Sequence, residues 1–257
     1  MLSALILTFN EEPNIGRCLE RLAWAREVLV IDSFSTDATV EICRRFPNVR
    51  VLQRAFDLHS IQWNFGCEHC SHDWILALDA DYIIPEATAK EIQKLEFGGG
   101  IDAYFTRFDY WIEGRRLRAC LYPPRAVLFK KSSCSYIQDG HTQLLKIGGK
   151  SGWLEGRILH DDRKPLARWL SNQVHYATLE AAKLRSAPRN ELRIQDRLRR
   201  MIVIAPFLVF FYTLIGRGLI LDGWAGWYYV FQRTIAEILL SLKLIEKKLK
   251  GEGACGA

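Results

Sequence analysis

The first third of the chain alternates short apolar runs with segments of helical periodicity. The runs are residues 2–8, 28–32, 49–53 and 74–79. Between them Ile15, Leu19 and Leu22 recur at helical spacing, as do Val40, Ile42 and Cys43, and Thr36 followed by Asp37 supplies a helix start. Strand and helix in alternation predict βα units feeding a mostly parallel sheet with amphipathic helices over its faces. The fold class expected is therefore α/β.

Beyond residue 81 the pattern changes. Pro85 opens a short helix through about Leu95, the glycines at 98–100 mark a loop, and the aromatic and polar alternation of residues 104–111 predicts a strand. Residues 125–160 read as further short strands. From Pro165 the spacing of Leu166, Trp169, Leu170, Val174, Ala177, Ala181 and Leu184 is helical, with an interruption at Pro188. Arg185, Arg189, Arg193 and Arg197 fall four apart and would line one face of a continuous helix. Residues 201–215 are almost wholly apolar, a run short of the roughly 20 residues a membrane span needs, which favours an interfacial or re-entrant segment. A last helix carries Trp227, Phe231, Ile235, Ile238, Leu242 and Ile245 on one face and ends in Lys243, Lys247, Lys248 and Lys250. Two domains are expected: 1–160, and a helical extension over 161–257.

Charge sharpens that division. Residues 1–160 hold 19 Lys and Arg against 20 Asp and Glu, whereas 161–257 hold 16 against 9. Basic residues beside apolar, Trp- and Tyr-bearing helices suit an anionic membrane surface. Nucleic acid is not expected as a partner, because the arginine stripe adjoins apolar residues that a duplex would not solvate. The seven cysteines, an odd number without framework spacing, fit a reducing cytoplasm rather than a disulfide scaffold. The apolar N-terminus lacks a basic region and a cleavage site and is followed at once by Glu11 and Glu12, so it reads as a buried strand.

Candidate chemistry gathers where strands end. Asp79 and Asp81 follow the apolar run 74–78, and carboxylates so spaced can put one oxygen on a divalent metal and another on a sugar or the metal's water shell. Asp32 ends another run, and in an open α/β sheet ligands sit at the carboxyl ends of strands, so Asp32 and Asp79 would border one crevice.

Three ordered motifs carry a resemblance: Leu5-Ile-Leu-Thr-Phe-Asn-Glu-Glu12, Val30-Ile-Asp-Ser-Phe-Ser-Thr-Asp-Ala-Thr-Val-Glu-Ile42 and Leu76-Ala-Leu-Asp-Ala-Asp81. Together they resemble the family-2 glycosyltransferases with the GT-A fold, and most closely the branch that adds sugars to lipopolysaccharide cores, such as β-1,4-glucosyltransferases. The tail Leu219-Ile-Leu-Asp-Gly-Trp-Ala-Gly226 resembles that branch as well. The resemblance implies a Rossmann-related GT-A sheet and inverting transfer from a nucleotide sugar, with UDP the expected carrier, to a glycolipid or lipid-linked acceptor at the cytoplasmic face of the inner membrane. It implies that Thr8, Asn10 and Glu11 line the nucleotide site, that Asp32 holds uracil or ribose, and that Asp79 and Asp81 handle ribose and a metal–diphosphate. Mg²⁺ or Mn²⁺ suits carboxylate ligands and would stabilise charge on the departing diphosphate.

Two departures from the family pattern stand out. Gly140-His141-Thr142 lacks the carboxylate that many relatives carry after the histidine, which leaves Asp139 as the substitute base and His141 as base or phosphate-orienting residue; an Asp-Gly turn is the competing reading of Asp139. Gln62-Trp63-Asn64 lacks the cation that relatives place before the asparagine, so Asn64 keeps its expected place at the donor while Arg125 is the candidate to neutralise the diphosphate. His160 is a candidate third metal ligand, and Tyr110, Trp111 and Tyr122 are candidates to stack on an acceptor sugar. Cys67, Cys70 and His72 have zinc-like spacing, but no second Cys pair completes a site, which favours the buried face of a helix. A polyprenyl-phosphate glycosyltransferase and a non-catalytic nucleotide-binding scaffold remain the alternatives.

Overall fold

The computed structural model describes residues 1–97, 99–139, 142–188, 190 and 192–252. Its first half follows the predicted alternation: β1 (Leu2–Thr8), α1 (Ile15–Glu20), β2 (Glu27–Asp32), α2 (Thr39–Cys43), β3 (Val49–Gln53), α3 (His59–His69) and β4 (Trp74–Asp79). Next come β5 (Tyr82–Ile83), α4 (Glu86–Lys94), β6 (Ile101–Ile112), β7 (Arg115–Arg116), β8 (Arg125–Lys130), β9 (Cys134–Asp139), β10 (Thr142–Ile147) and β11 (Lys150–His160). One nine-stranded sheet runs β3-β2-β1-β4-β8-β6-β11-β5, with β7 on β6, while β9 and β10 pair with each other. The strands from β3 to β4 are parallel; β8 lies antiparallel between β4 and β6, and β11 returns parallel to β6.

The runs are near-continuous because both faces are covered. Ala4, Ile6, Val28, Val30, Leu76 and Leu78 pack with Ile15, Cys18 and Leu19 of α1 and with Leu22 just after it. Leu5, Leu29, Ile31, Ile75 and Ala77 pack with Trp63 and Cys67 of α3 and with Phe129 of β8. The backbone of α3 comes so close that a Cβ on Gly66 would lie 2.6 Å from Leu5 Cδ1. Cys67 and Cys70 belong to this core, and burial pushes both thiols up to about 12, so they remain neutral.

Glu27, at the start of β2, is a polar fastener. Its carboxylate accepts from Ser3 Oγ, from Ser71 N at 2.9 Å and from Arg50 Nη2 at 3.0 Å. Burial works against the charge, but these bonds prevail and hold the carboxyl at about 2, below the ordinary 4.5. A depressed pKa contributes stability that is present above 4.5 and lost as pH falls through 2. Glu27→Gln is therefore expected to cost about 1–2 kcal/mol at pH 7, with the gap from wild type narrowing below pH 4.5 in urea titrations.

The chain divides into two compact units: residues 1–116, 122–138 and 142–164, which hold the sheet, and residues 117–121, 139–141 and 165–257. In the second, α5 (Leu166–Ser186) packs Ala177, Ala181 and Leu184 against Leu240 and Leu244 of α8 (Gly223–Glu252). Between them run α6 (Ile194–Arg199) and α7 (Ile204–Phe211), the latter continuing as a π-helical turn over Tyr212–Gly216. Arg199 bridges Glu237 at 2.9 Å and Glu180 at 3.4 Å inside this bundle. The expected continuous arginine stripe does not form: α5 stops at Ser186 and α6 starts at Ile194, so Arg185 and Arg197 sit on different helices, and Arg189 lies outside the described residues. No single described helix is long and apolar enough to cross a membrane; Ile204–Gly216 and Leu219–Lys250 have the length and composition only as a pair bent by 67°. Phe207, Ile215, Leu221 and Trp224 of that pair are all more than 60% exposed.

Candidate active site

Register brings the motif residues to one crest of the sheet. Thr8 pairs with Asp32 across β1 and β2, and Leu7 with Asp79 across β1 and β4, so three strands end side by side. β8 runs antiparallel with Leu128 opposite Leu76, which carries Arg125 to the same end of β4. β11 delivers His160 beside Tyr82, the residue that follows Asp81.

The charged centre forms there. His160 Nε2 lies 3.3 Å from Asp81 Oδ2, and Lys164 Nζ lies 3.7 Å from the same oxygen, 2.9 Å from Glu11 and 3.2 Å from Asp162. Asp81 Oδ1 is buried without a hydrogen-bond partner. Burial alone would raise the Asp81 pKa, but the charges of His160 and Lys164 hold it well below the usual carboxylate range. For Glu11 burial dominates over the attraction of Lys164, and its pKa rises to about 7. Burial would lower the pKa of Lys164, but the carboxylates of Asp81 and Glu11 outweigh it and the ammonium stays charged.

The His160 ring is boxed by Tyr110, Tyr122 and Tyr82 at centroid separations of 4.6, 4.8 and 5.4 Å, and the hydroxyls of Tyr82 and Tyr122 are hydrogen-bonded. The Arg125 guanidinium lies 5.1 Å over the Tyr122 ring, with its Nε buried and lacking a partner. Burial opposes its charge, and the neighbouring Tyr122, Tyr82 and Asp79 keep it protonated.

A second group shapes the loops above β1 and β2. Asp32 is fully buried, and its oxygens accept from Thr8 Oγ1 at 3.2 Å, Ser35 N and Gln53 Nε2 at 3.0 Å each, and Ser35 Oγ. Asn10, in the left-handed region at φ 54°, donates its N–H to Ser35 Oγ at 2.7 Å and accepts from Thr36 N at 2.7 Å. Asparagine tolerates this backbone better than most residues.

Other candidates are held by partners of their own. Asn64 spends both ends of its amide on the Tyr136 backbone at 2.9 Å, fastening α3 to β9. Asp139 belongs to the helical unit, where Lys183 Nζ is 2.7 Å and Arg193 Nη2 3.6 Å from its carboxylate. His141 lies outside the described residues. Lys164 was not anticipated from the sequence: Asp161-Asp162-Arg163-Lys164 reads as a solvated charge run, and only its place four residues after His160 hints otherwise.

Among the described residues no three of His, Cys, Asp and Glu gather in metal-binding geometry, so Asp79, Asp81 and His160 do not form a complete protein cage. The donor set nevertheless suits Mg²⁺ or Mn²⁺ held together with a diphosphate, since such ions use one or two carboxylates and take their remaining ligands from phosphates and water. The orphaned Asp81 Oδ1 is the oxygen available for that purpose.

Comparison with known proteins bears on the family and the fold. The family profile described as "Glycosyl transferase family 2" matches residues 3–140. The lipopolysaccharide core biosynthesis glycosyltransferase LpsC of Rhizobium meliloti is 24% identical over 259 residues, covering 96% of this chain and 92% of that protein. An "uncharacterized glycosyltransferase" of Rickettsia felis is 37% identical over 104 residues, 40% of this chain and 36% of its own length. Among solved structures, the mannosyltransferase PcManGT from Pyrobaculum calidifontis, in complex with GDP-Man and Mn²⁺, superposes with a TM-score of 0.54 at 16% identity, covering 96% of this chain and 86% of that one. The sheet is thus the GT-A-like α/β architecture that the motifs predicted.

Proposed function

The chain belongs to glycosyl transferase family 2 and is a glycosyltransferase, and on that premise we propose that it moves a sugar, with inversion, from a UDP-sugar to a cell-envelope glycolipid such as a lipopolysaccharide core. The reaction is read as metal-dependent and as taking place on the cytoplasmic face of the inner membrane. The observation that carries this reading is Asp81, whose buried Oδ1 lacks a partner while Oδ2 faces His160 at the carboxyl end of the sheet.

Asp81 would hold the ion, with His160 beside it and Asp79 toward the ribose. Bound there, Mg²⁺ or Mn²⁺ supplies Lewis-acid stabilisation of the leaving diphosphate. Arg125 offers a fixed positive charge to a phosphate, in a buried setting where it is worth more than in water. Tyr110 and Tyr122 offer aromatic faces to a sugar ring. Asp139 stands as the proposed acceptor base, with His141 beside it in sequence; Asp139 must part from Lys183 to take the acceptor hydroxyl proton.

Support for the acceptor comes from LpsC, whose name assigns it to lipopolysaccharide core biosynthesis and which aligns over nearly the whole chain. The exposed Phe207, Ile215, Leu221 and Trp224 support attachment to a membrane surface, as does the basic balance of the C-terminal third. A polyprenyl-phosphate acceptor is the second reading, favoured by the unsatisfied Nε of Arg125, which suits an additional phosphate. Mass spectrometry of lipids after incubation with UDP-hexoses and Mn²⁺ tests both. The expected result is repeated transfer of one hexose to a truncated lipopolysaccharide core. Hexose appearing on polyprenyl phosphate instead would reassign the acceptor, and no product from any donor would overturn the proposal.

A further inference from the structure

Lys164 closes more than one salt bridge. Its ammonium faces three carboxylates, at 2.9 Å from Glu11, 3.2 Å from Asp162 and 3.7 Å from Asp81. The segment that bears it is firmly held: Arg17 reaches Asp161 at 2.9 Å, Asn14 accepts from Arg163 N at 3.1 Å, and Asp162 accepts from Lys164 N at 3.0 Å. The fixed part is the backbone, whereas a lysine side chain is a compact charge on a flexible four-carbon stem. Next to this charge, on the carboxylate it shares with His160, lies the buried and unpartnered Asp81 Oδ1.

We propose that Lys164 is a resident counter-cation that disfavours a divalent metal at Asp81 in the absence of nucleotide and turns to the phosphates when a nucleotide diphosphate arrives, making metal and donor binding interdependent. The proposal rests on the metal-dependent reading above. A divalent ion at Asp81 would be repelled at short range by the ammonium and would compete with it for the same carboxylate. A diphosphate changes the balance, because its negative oxygens can receive both cations. By linkage, whatever factor the nucleotide adds to metal affinity the metal adds to nucleotide affinity.

The test is a Mn²⁺ titration of the full chain, followed by the electron paramagnetic resonance signal of free Mn²⁺, with and without saturating UDP. In wild type, UDP is expected to tighten Mn²⁺ binding about tenfold or more, within the usual range of coupling between sites. Lys164→Met is expected to bind Mn²⁺ about tenfold more tightly than wild type without UDP and to lose most of the UDP-dependent gain. Lys164→Arg, which keeps the charge, is expected to stay weak without UDP; circular dichroism verifies that each variant is folded. If Lys164→Met matches wild type without UDP while UDP-bound wild type still takes up Mn²⁺, the Lys164 proposal is overturned and the metal reading survives. If no protein binds Mn²⁺ with or without UDP, the metal reading fails and the proposal falls with it. Should Lys164→Met not fold, wild type alone decides: a Mn²⁺ affinity that UDP leaves unchanged overturns the coupling.

Discussion

Asp81→Ala is expected to lower kcat/KM by about 10³ and to abolish the metal-dependent part of nucleotide binding. The size follows from what the side chain combines. It is the carboxylate with a buried unpartnered oxygen, and it is the common partner of His160 and Lys164. Removing it deletes the proposed metal ligand and takes from His160 and Lys164 the carboxylate they share. Thermal denaturation isolates the binding effect. A ligand at about 100 times its Kd adds roughly 2.7 kcal/mol to the native state, so UDP with Mn²⁺ should raise the Tm of wild type distinctly and that of Asp81→Ala hardly at all. Asp81→Asn keeps the shape of the side chain without its charge and should behave like the alanine variant. A metal-dependent Tm shift that survives in both variants would remove Asp81 from the site.

The parts of this molecule that were legible in its sequence are those whose cause is local. β1, β3 and β4 begin and end where the apolar runs do; β1 and β4, covered on both faces, are apolar along nearly their whole length, whereas the edge strand β3 carries exposed Arg50 and Gln53. The long α5 shows in the periodicity that includes the buried Ala181 and Leu184, whereas the α8 stripe read from the sequence holds the exposed Phe231, Ile238 and Leu242, and it is Leu240 and Leu244 that pack against α5. The arginine stripe failed because the interruption read at Pro188 falls inside it: α5 ends at Ser186 and α6 starts at Ile194, so the four-residue spacing does not run along one helix. Within the site, the strand-end aspartates could be located from motif and topology, but the use of each carboxylate could not. Asn64 carries an amide suited to a ligand, yet both ends of it are consumed by the backbone of Tyr136, 72 residues away. Lys164 was hidden for the converse reason: two of its partners, Glu11 and Asp81, lie far from it in sequence, and only the pairing of β11 with β5 brings the end of that strand to Asp81.

Asp32 shows how far a motif residue can act through what it organises, and its two simplest substitutions should part sharply. Oδ2 accepts from Ser35 N and Gln53 Nε2, donors that cannot reverse their role. Oδ1 accepts from the hydroxyls of Thr8 and Ser35, which can rotate and accept instead. Asparagine fits this pattern with its carbonyl at the first position and its amide at the second. Asp32→Asn is therefore expected to cost only about 1 kcal/mol. Asp32→Ala leaves Ser35 N and the hydroxyls of Thr8 and Ser35 without their acceptor, while the exposed Gln53 amide can turn to water, and should cost about 2–3 kcal/mol, read from urea denaturation. Nucleotide affinity should follow the same order. The carboxylate is 0% exposed and bonded on every side, so its effect on the donor passes through the turn that carries Phe34 and Ser35, and a turn still closed by asparagine should bind UDP within about threefold of wild type, whereas alanine should lose binding together with stability. A large loss of UDP affinity in a fully stable Asp32→Asn protein would reverse that conclusion and put the charge of Asp32 in direct contact with the nucleotide.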